Sequence, residues 1–328
     1  MLRVVIAPDS FKGSLDAPSA ASAIAEGVRR AIPGAQALAL PMADGGEGTL
    51  DAVLAASGPT ATRRTMPVTG ASGLARIAAW GLVAGERGGV GVLECAQVVP
   101  ITDAAAMAAP VSRRSTVGLG VQILALLDAR LAGCEITLMS DVNNPLAGAS
   151  GATAIFGPQK GVLPADVDAI DSVIARCADR VERALGRRCA DRPGAGAAGG
   201  LGFALLALGA DLRSGAEVVA DLIGLDAALD RADWAITGEG RSDAQTLLAK
   251  GPSIVARRAR ARGVPVSLLS GAIDAKALDA LAPAFDGCFA LPAGPATLGD
   301  CIGDAAALLA DRADALARLF VASRLRAC

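Results

Sequence analysis

Val4-Val5-Ile6-Ala7-Pro8-Asp9-Ser10 opens the chain with an apolar run that proline and aspartate close. A short run rich in β-branched residues and bounded by turn formers reads as a buried strand. From Ser19 to Ile32 apolar residues recur at helical spacing, with Glu26, Arg29 and Arg30 on the other face, and Pro33-Gly34 ends the helix. Ala37-Leu38-Ala39-Leu40 reads as the next strand, Ala43-Asp44-Gly45-Gly46-Glu47-Gly48-Thr49 as a loop, and Leu50 to Ala56 as a second helix. This βαβα order predicts a parallel sheet whose functional loops leave the carboxyl ends of the strands.

Further along, between about 60 and 100, Gly and Val alternate with polar residues, as in Gly89-Val90-Gly91-Val92-Leu93-Glu94, which predicts antiparallel hairpins. The α/β pattern returns near 230, with a strand at Asp233-Trp234-Ala235-Ile236-Thr237, a helix from Ser253 to Arg262 and a strand at Pro265-Val266-Ser267-Leu268-Leu269. The expected fold is therefore α/β. A discontinuous domain with a mostly parallel sheet comes from 1–62 and 232–328, and a second mixed α/β domain from 63–231. A length of 328 residues suits two domains.

Composition removes several functions. A formal charge of −2 without long runs of one sign argues against a nucleic-acid or membrane-surface partner. Aromatics at 2% leave no platform for stacking bases. No apolar run reaches the ~18 residues that span a bilayer, and the first run is too short for a signal peptide. Seven scattered cysteines without a C-x-x-C pair fit a reducing compartment, so the expected location is the cytoplasm. Histidine is absent, which rules out Ser-His-Asp and Cys-His catalysis and any His base or zinc ligand. Phosphoryl transfer tolerates that restriction, because it rests on positioning and charge stabilisation.

The candidate site residues lie in loops. Of the four lysines, Lys12, Lys160 and Lys250 each stand beside glycine in loop-like sequence, an arrangement that brings a point charge and free N–H groups to a phosphate. In the loop after the second strand, Gly45 and Gly46 allow close backbone approach. Asp44 and Glu47 there suit Mg²⁺ or a substrate hydroxyl, or else a plain helix-capping turn. Thr237-Gly238-Glu239-Gly240-Arg241-Ser242-Asp243-Ala244-Gln245-Thr246 reads as a richer loop after a strand, with a carboxylate pair and a guanidinium. Ser140-Asp141-Val142-Asn143-Asn144-Pro145 offers Asp and Asn either to a metal or hydroxy acid, or to an Asx-turn before the proline. Gly194-Ala195-Gly196-Ala197-Ala198-Gly199 matches a dinucleotide fingerprint but follows Asp191-Arg192-Pro193 rather than a strand, and no P-loop motif occurs.

Taken together, these loops resemble the type-1 glycerate kinases. The matching stretches are Ala7 to Ser14, Pro41 to Thr49, Asn144-Pro145-Leu146, Phe156 to Gly161, Ala198 to Gly202 and Thr237 to Thr246, in family order along nearly the whole chain. The resemblance implies that the first domain is Rossmann-like and that the site lies in a cleft between the two domains. It also implies ATP and Mg²⁺ as co-reactants, D-glycerate as acceptor, and 2-phosphoglycerate rather than 3-phosphoglycerate as product. It marks Lys12, Asp44, Arg241 and Asp243 as catalytic. Asp9, Ser10, Gly45, Gly46, Glu47, Asn143, Asn144, Lys160, Gly199, Gly200, Thr237, Glu239 and Lys250 would bind substrate or phosphate, and Asp44, Asp141 and Asp243 would hold metal. A homodimer is a further expectation.

Three departures stand out. A strand and glycine-rich stretch of the family is missing near Ala129-Arg130, Val121 stands where the family has Glu, and a Gly-Lys-Ala step reads Ala249-Lys250-Gly251. Two readings follow from them: an active kinase, or an impaired relative that still binds nucleotide or hydroxy acid. An oxidoreductase of small hydroxy acids is a third.

Overall fold

The computed structural model describes residues 1–85, 88–100, 103–110, 113–114, 119, 134–248 and 250–327. Its central sheet has five strands in the order β10-β9-β8-β1-β2. These are β1 (Arg3–Ile6), β2 (Gln36–Ala39), β8 (Trp234–Ser242), β9 (Val266–Ile273) and β10 (Gly287–Ala290). Every pairing among them is parallel, and the two ends of the chain meet where Val4, Val5 and Ile6 pair with Trp234, Ala235 and Ile236.

Alternate residues of these strands feed two cores, as a sheet buried on both faces requires. Val5, Ala7, Ala235 and Leu268 join a core with helix α2 (Thr49–Ser57) and the helices Gly215–Leu222 and Gly251–Arg260. Val4, Ile6, Trp234, Ile236 and Leu269 face helix α1 (Ala17–Ala31) and the helix Ala305–Ala327. α1 is capped by Asp16, whose carboxylate accepts from the Ser19 N–H. The two helices cross so closely at Gly27 that a Cβ there would stand 2.0 Å from the Ala310 carbonyl oxygen. Small residues therefore replace aromatics as the means of tight packing. The largest aromatic in this core, Trp234, is fully buried, donates to Ser267 Oγ at 3.1 Å and stacks on Phe320 at 4.4 Å.

The middle of the chain forms two smaller sheets, the first of which sends Ala79, Val83 and Val92 into the core on one face of the central sheet. β3 (Thr62–Thr69), β4 (Ala75–Gly85) and β5 (Gly88–Leu93) form the antiparallel sheet that the glycine-valine alternation predicts. β6 (Thr137–Met139) pairs in parallel with β7 (Asp211–Arg213), over a small core shared with the helices Val167–Leu185 and Leu201–Ala207.

One expectation fails in an instructive way. Thr237 to Thr246 is not a loop: β8 runs through Ser242, so Thr237, Glu239 and Arg241 are strand residues and Asp243 follows the strand. Gly238 and Gly240 mark close approach rather than a turn. A Cβ at 238 would lie 2.1 Å from the Leu269 carbonyl oxygen, and one at 240 would lie 3.1 Å from the Lys12 nitrogen. Lys160 likewise ends a one-turn helix (Pro158–Lys160) instead of leaving a strand. Val121 and the junction at Ala129-Arg130 lie outside the described residues. Among the described residues no helix is long and apolar enough to cross a membrane.

Candidate active site

In the central sheet β2 lies on one side of β1, and β8, β9 and β10 on the other. The strand order therefore reverses between β1 and β8, and the crevice beyond their carboxyl ends is where open α/β sheets bind ligands. Backbone bonds carry the strands past their ladders into this crevice. The Asp9 N–H donates to the Gly238 carbonyl at 2.8 Å and the Met42 N–H to the Pro8 carbonyl at 2.8 Å. The Thr237 hydroxyl donates to the Ala7 carbonyl at 2.8 Å, so its role is to tie β8 to β1.

Asp9 stands at the centre. Burial, then the charge of Asp44, then that of Glu239 push its carboxyl up to about 7, while the Ser10 N–H at 2.6 Å and the Lys12 ammonium oppose the rise. Helix Gly251–Arg260 begins beside it, and a Cβ at Gly251 would meet Asp9 Oδ2 at 3.1 Å.

Asp44 enters from the loop after β2. Its Oδ1 accepts the Gly46 N–H at 3.1 Å, and the Thr49 hydroxyl donates to the Gly46 carbonyl at 2.7 Å, so the loop is braced internally. Asp141 arrives from the loop after β6. Burial and then the Asp44 charge raise its carboxyl, opposed by the Gly215 N–H and the Lys250 ammonium. A carboxylate of the middle module thus sits in the field of one from the central sheet. Gly215 fixes this approach, because a Cβ there would lie 1.9 Å from the Asp44 carbonyl oxygen and 2.7 Å from Gly45 Cα. Both are backbone atoms that cannot rotate away, so we expect Gly215→Ala to lower stability by at least about 2 kcal/mol and to displace Asp44. Denaturant unfolding checks the first effect and turnover the second.

Glu239 is 9% exposed, and its Oε1 accepts from the Ser242 hydroxyl at 2.9 Å and the Thr246 hydroxyl at 2.6 Å. Burial raises its carboxyl, against those two hydroxyls and Lys250, and Asp243 adds to the rise. Ser242 is held in turn by Ser270 at 2.6 Å. Asp243 has a structural task besides: it caps the one-turn helix Ala244–Leu247 by accepting the Gln245 N–H at 2.8 Å, and its own N–H donates to the Thr246 hydroxyl at 3.0 Å.

Electrostatic contacts thus link Asp9 to Ser10, Lys12, Asp44 and Glu239, Asp141 to Asp44 and Lys250, and Glu239 to Asp243 and Lys250. The Asp44 loop brings Gly45, Gly46 and Glu47 with it, and the Asp141 loop brings Asn143. Other candidates serve neighbouring loops. Asn144 donates to the Ser150 carbonyl at 2.9 Å and accepts the Gly196 N–H on its own carbonyl at 2.9 Å. Gly199 and Gly200 have φ of 71° and 106° in the turn before helix Leu201–Ala207. Arg241 is exposed and pairs with Asp274 at 3.8 Å. Lys160 is drawn to neither cluster: burial alone lowers its pKa, and the Arg114 guanidinium holds its carbonyl. Ser270 and Gly215 escaped the sequence reading. Their signal is their place, Ser270 in the carboxyl half of β9 and Gly215 at the first residue of a helix after a strand.

The glycerate kinase family profile matches residues 4–130 and 124–321. This chain belongs to the glycerate kinase family. The chain is 33% identical over 360 residues to a protein of Bacillus subtilis (strain 168) named glycerate kinase, covering 93% of this chain and 94% of that one. It is 35% identical over 328 residues to the glycerate 2-kinase of Escherichia coli (strain K12), covering 83% and 86%. A crystal structure described as a glycerate kinase 2 from Salmonella typhimurium LT2 superposes with a TM-score of 0.83 and 31% identity over 99% of both chains. The shared α/β architecture agrees with the reading of the sequence.

The Bacillus subtilis alignment also measures a difference between this glycerate kinase family member and its relative. Because 93% of 328 residues is about 305, roughly 55 of its 360 positions have no residue from this chain. The two profile matches overlap at 124–130, the stretch that contains the Ala129-Arg130 junction.

For a divalent cation the crevice offers hard carboxylate oxygens. Among the described residues no group of three or more His, Cys, Asp or Glu is arranged to hold a metal alone. Mg²⁺ needs no such cage, since it is commonly held by one or two carboxylates together with nucleotide phosphates. The residues present fit that mode.

Proposed function

We propose that this chain transfers the γ-phosphoryl group of ATP to D-glycerate in the cytoplasm, with 2-phosphoglycerate and ADP as products. The observation that carries the reading is the meeting of Asp9, Asp44 and Glu239 with Lys12 and Lys250 at the β1–β8 switch point. A phosphoryl acceptor must lose a proton, and a carboxyl held near 7 is matched to accept it at neutral pH. The bond from the γ-phosphorus to the β–γ bridging oxygen breaks, and the glycerate oxygen takes its place on phosphorus. The hydroxyl proton passes to Asp9 and then to water. Lys12 and Lys250, with Arg241 at the rim, offset the charge spread over the transferring group. Asp44 and Asp243 would help hold Mg²⁺, with Asp141 beside them, and the ion would neutralise phosphate charge.

Residues 1–62 and 232–328 make the Rossmann-like domain in this reading, and 63–231 the second. Helices Gly215–Leu222 and Leu225–Leu229 pack on the first domain's core, so the cleft opens between the Asp44 loop and the loop after β6.

The roughly 55 alignment positions without a counterpart favour a second reading, in which the chain binds nucleotide and hydroxy acid but turns over slowly. One experiment separates the two. Purified protein is assayed for glycerate-dependent ADP formation, with ³¹P NMR of the product. Turnover at ordinary kinase rates, about 1–100 s⁻¹, with phosphate on the 2-oxygen supports the proposal. Saturable binding of ATP or glycerate without turnover supports the second reading, and grafting a relative's block should then restore activity. Neither binding nor turnover rejects both.

A further inference from the structure

Helix α2 begins where the Asp44 loop ends, and its first turn lacks the usual means of capping. The N-cap position is Gly48, with φ of 89° and no side chain to accept from the helix. The partner comes from the middle module. Glu94, at the end of β5 and 44 positions further along the chain, turns its carboxylate onto this turn, and Oε2 accepts the Leu50 N–H at 2.9 Å. Oε1 is held by the Gln97 side chain at 3.4 Å. Glu94 is 4% exposed, and a carboxylate so buried is retained where it meets donors and the positive end of a helix. The contact is not isolated. Gly81 of β4 lies against the same turn, where an added Cβ would meet Leu50 Cδ1 at 2.8 Å and Leu54 Cδ2 at 3.0 Å. Hairpin and helix are thus fitted together around this bond.

We infer that Glu94 is a positioning residue for the active site: by capping α2 from the middle module it fixes the loop Asp44–Gly48, and with it the Asp44 carboxylate. The inference rests on the proposed kinase reading for its effect on catalysis, but not for its effect on the loop.

Three variants test it. Glu94→Gln keeps an oxygen for the Leu50 N–H and removes the charge. Glu94→Leu removes the acceptor. Glu94→Asp keeps the charge but withdraws it by one methylene, and serves where the leucine variant does not fold. A misplacement of about 1 Å costs on the order of 10²-fold in rate. We therefore expect kcat to fall about 10- to 100-fold in Glu94→Leu and Glu94→Asp, with KM for ATP changed less than about threefold, and Glu94→Gln to recover most of the loss. Hydrogen exchange over residues 43–52, measured well below the melting temperature, should quicken in the Leu and Asp variants and not in Gln. Unchanged kcat and unchanged exchange in a folded Leu or Asp variant overturn the inference. Loss of kcat shared equally by Gln, with exchange unchanged, also overturns it. If the parent shows no glycerate-dependent turnover the kinase reading fails, while the exchange comparison still decides whether Glu94 holds the loop.

Discussion

Asp9→Asn should abolish most turnover, by about 10²- to 10⁴-fold, and at the same time yield a protein more stable than the parent at pH 8. The first effect follows from removing the group proposed to accept the glycerate proton while keeping its size. The second follows from proton linkage. The folded-state carboxyl titrates at about 7, against 3.8 for an unperturbed aspartate. Between those values the folded protein holds a proton that the unfolded chain has already released, so stability falls as pH rises from about 4 to 7. Above 7 the folded protein carries an anion crowded by Asp44 and Glu239. Asparagine never ionises and escapes the whole decline.

A tenfold difference in proton affinity between the folded and unfolded chains corresponds to about 1.4 kcal/mol. Because Asp9 still meets solvent, the gain at pH 8 is on the order of 1–2 kcal/mol after screening, and near zero at pH 4. Thermal unfolding at the two pH values, beside turnover at pH 8, checks both halves. A variant that is inactive but gains no more stability over the parent at pH 8 than at pH 4 would show that Asp9 is not strained in the folded protein. One that is stabilised but fully active would show that the strain serves something other than proton transfer.

Such strain was hidden in the sequence, although much of the scaffold was not. The β1 strand and its helix were legible because a buried parallel strand is a compact apolar run, and Pro33-Gly34 stops α1. The hairpin sheet was legible from its glycine-valine alternation. β8 was misread beyond Thr237 because glycine has two uses with one spelling. Gly238 and Gly240 admit the backbones of β9 and of the Phe11-Lys12 loop, and nothing local separates that from a turn. β7 was missed because its three residues, Asp211-Leu212-Arg213, carry no strand pattern and pair with β6 across more than 70 positions. The same limit applied to the site. Asp9, Asp44 and Glu239 could be chosen as acidic residues near strand ends, but their mutual repulsion needs the strand order β9-β8-β1-β2. Ser270 and Glu94 act through partners 28 and 44 positions away, and no local spacing announces such contacts.

Lys12→Ala should lower kcat by about 10²- to 10³-fold and leave stability within about 0.5 kcal/mol of the parent. The two effects separate because the structure separates backbone from side chain here. Phe11 is buried, and the Phe11 N–H donates to the Leu15 carbonyl at 2.8 Å while the Ser14 N–H donates to the Phe11 carbonyl at 2.8 Å. Gly13, with φ of 82°, closes the turn. These bonds fix the Lys12 backbone against β8, so the exposed ammonium is presented to the crevice at no further ordering of the chain. Removing it takes nothing from the core. It does remove the weaker of the two groups, after the Ser10 N–H, that oppose the rise of the Asp9 carboxyl, so that carboxyl moves further above its ordinary range. If Asp9 must be ionised to accept a proton, kcat/KM climbs on the acid side of its pH profile as Asp9 deprotonates. That rise should shift to higher pH in Lys12→Ala and vanish in Asp9→Asn. Lys12→Arg should restore the position of the rise, because the charge returns, but only part of kcat, because a planar fork replaces a compact ammonium. Parent-like turnover in Lys12→Ala would remove this lysine from the reaction. A large loss with an unmoved acid rise would keep the lysine on phosphate and break its link to Asp9.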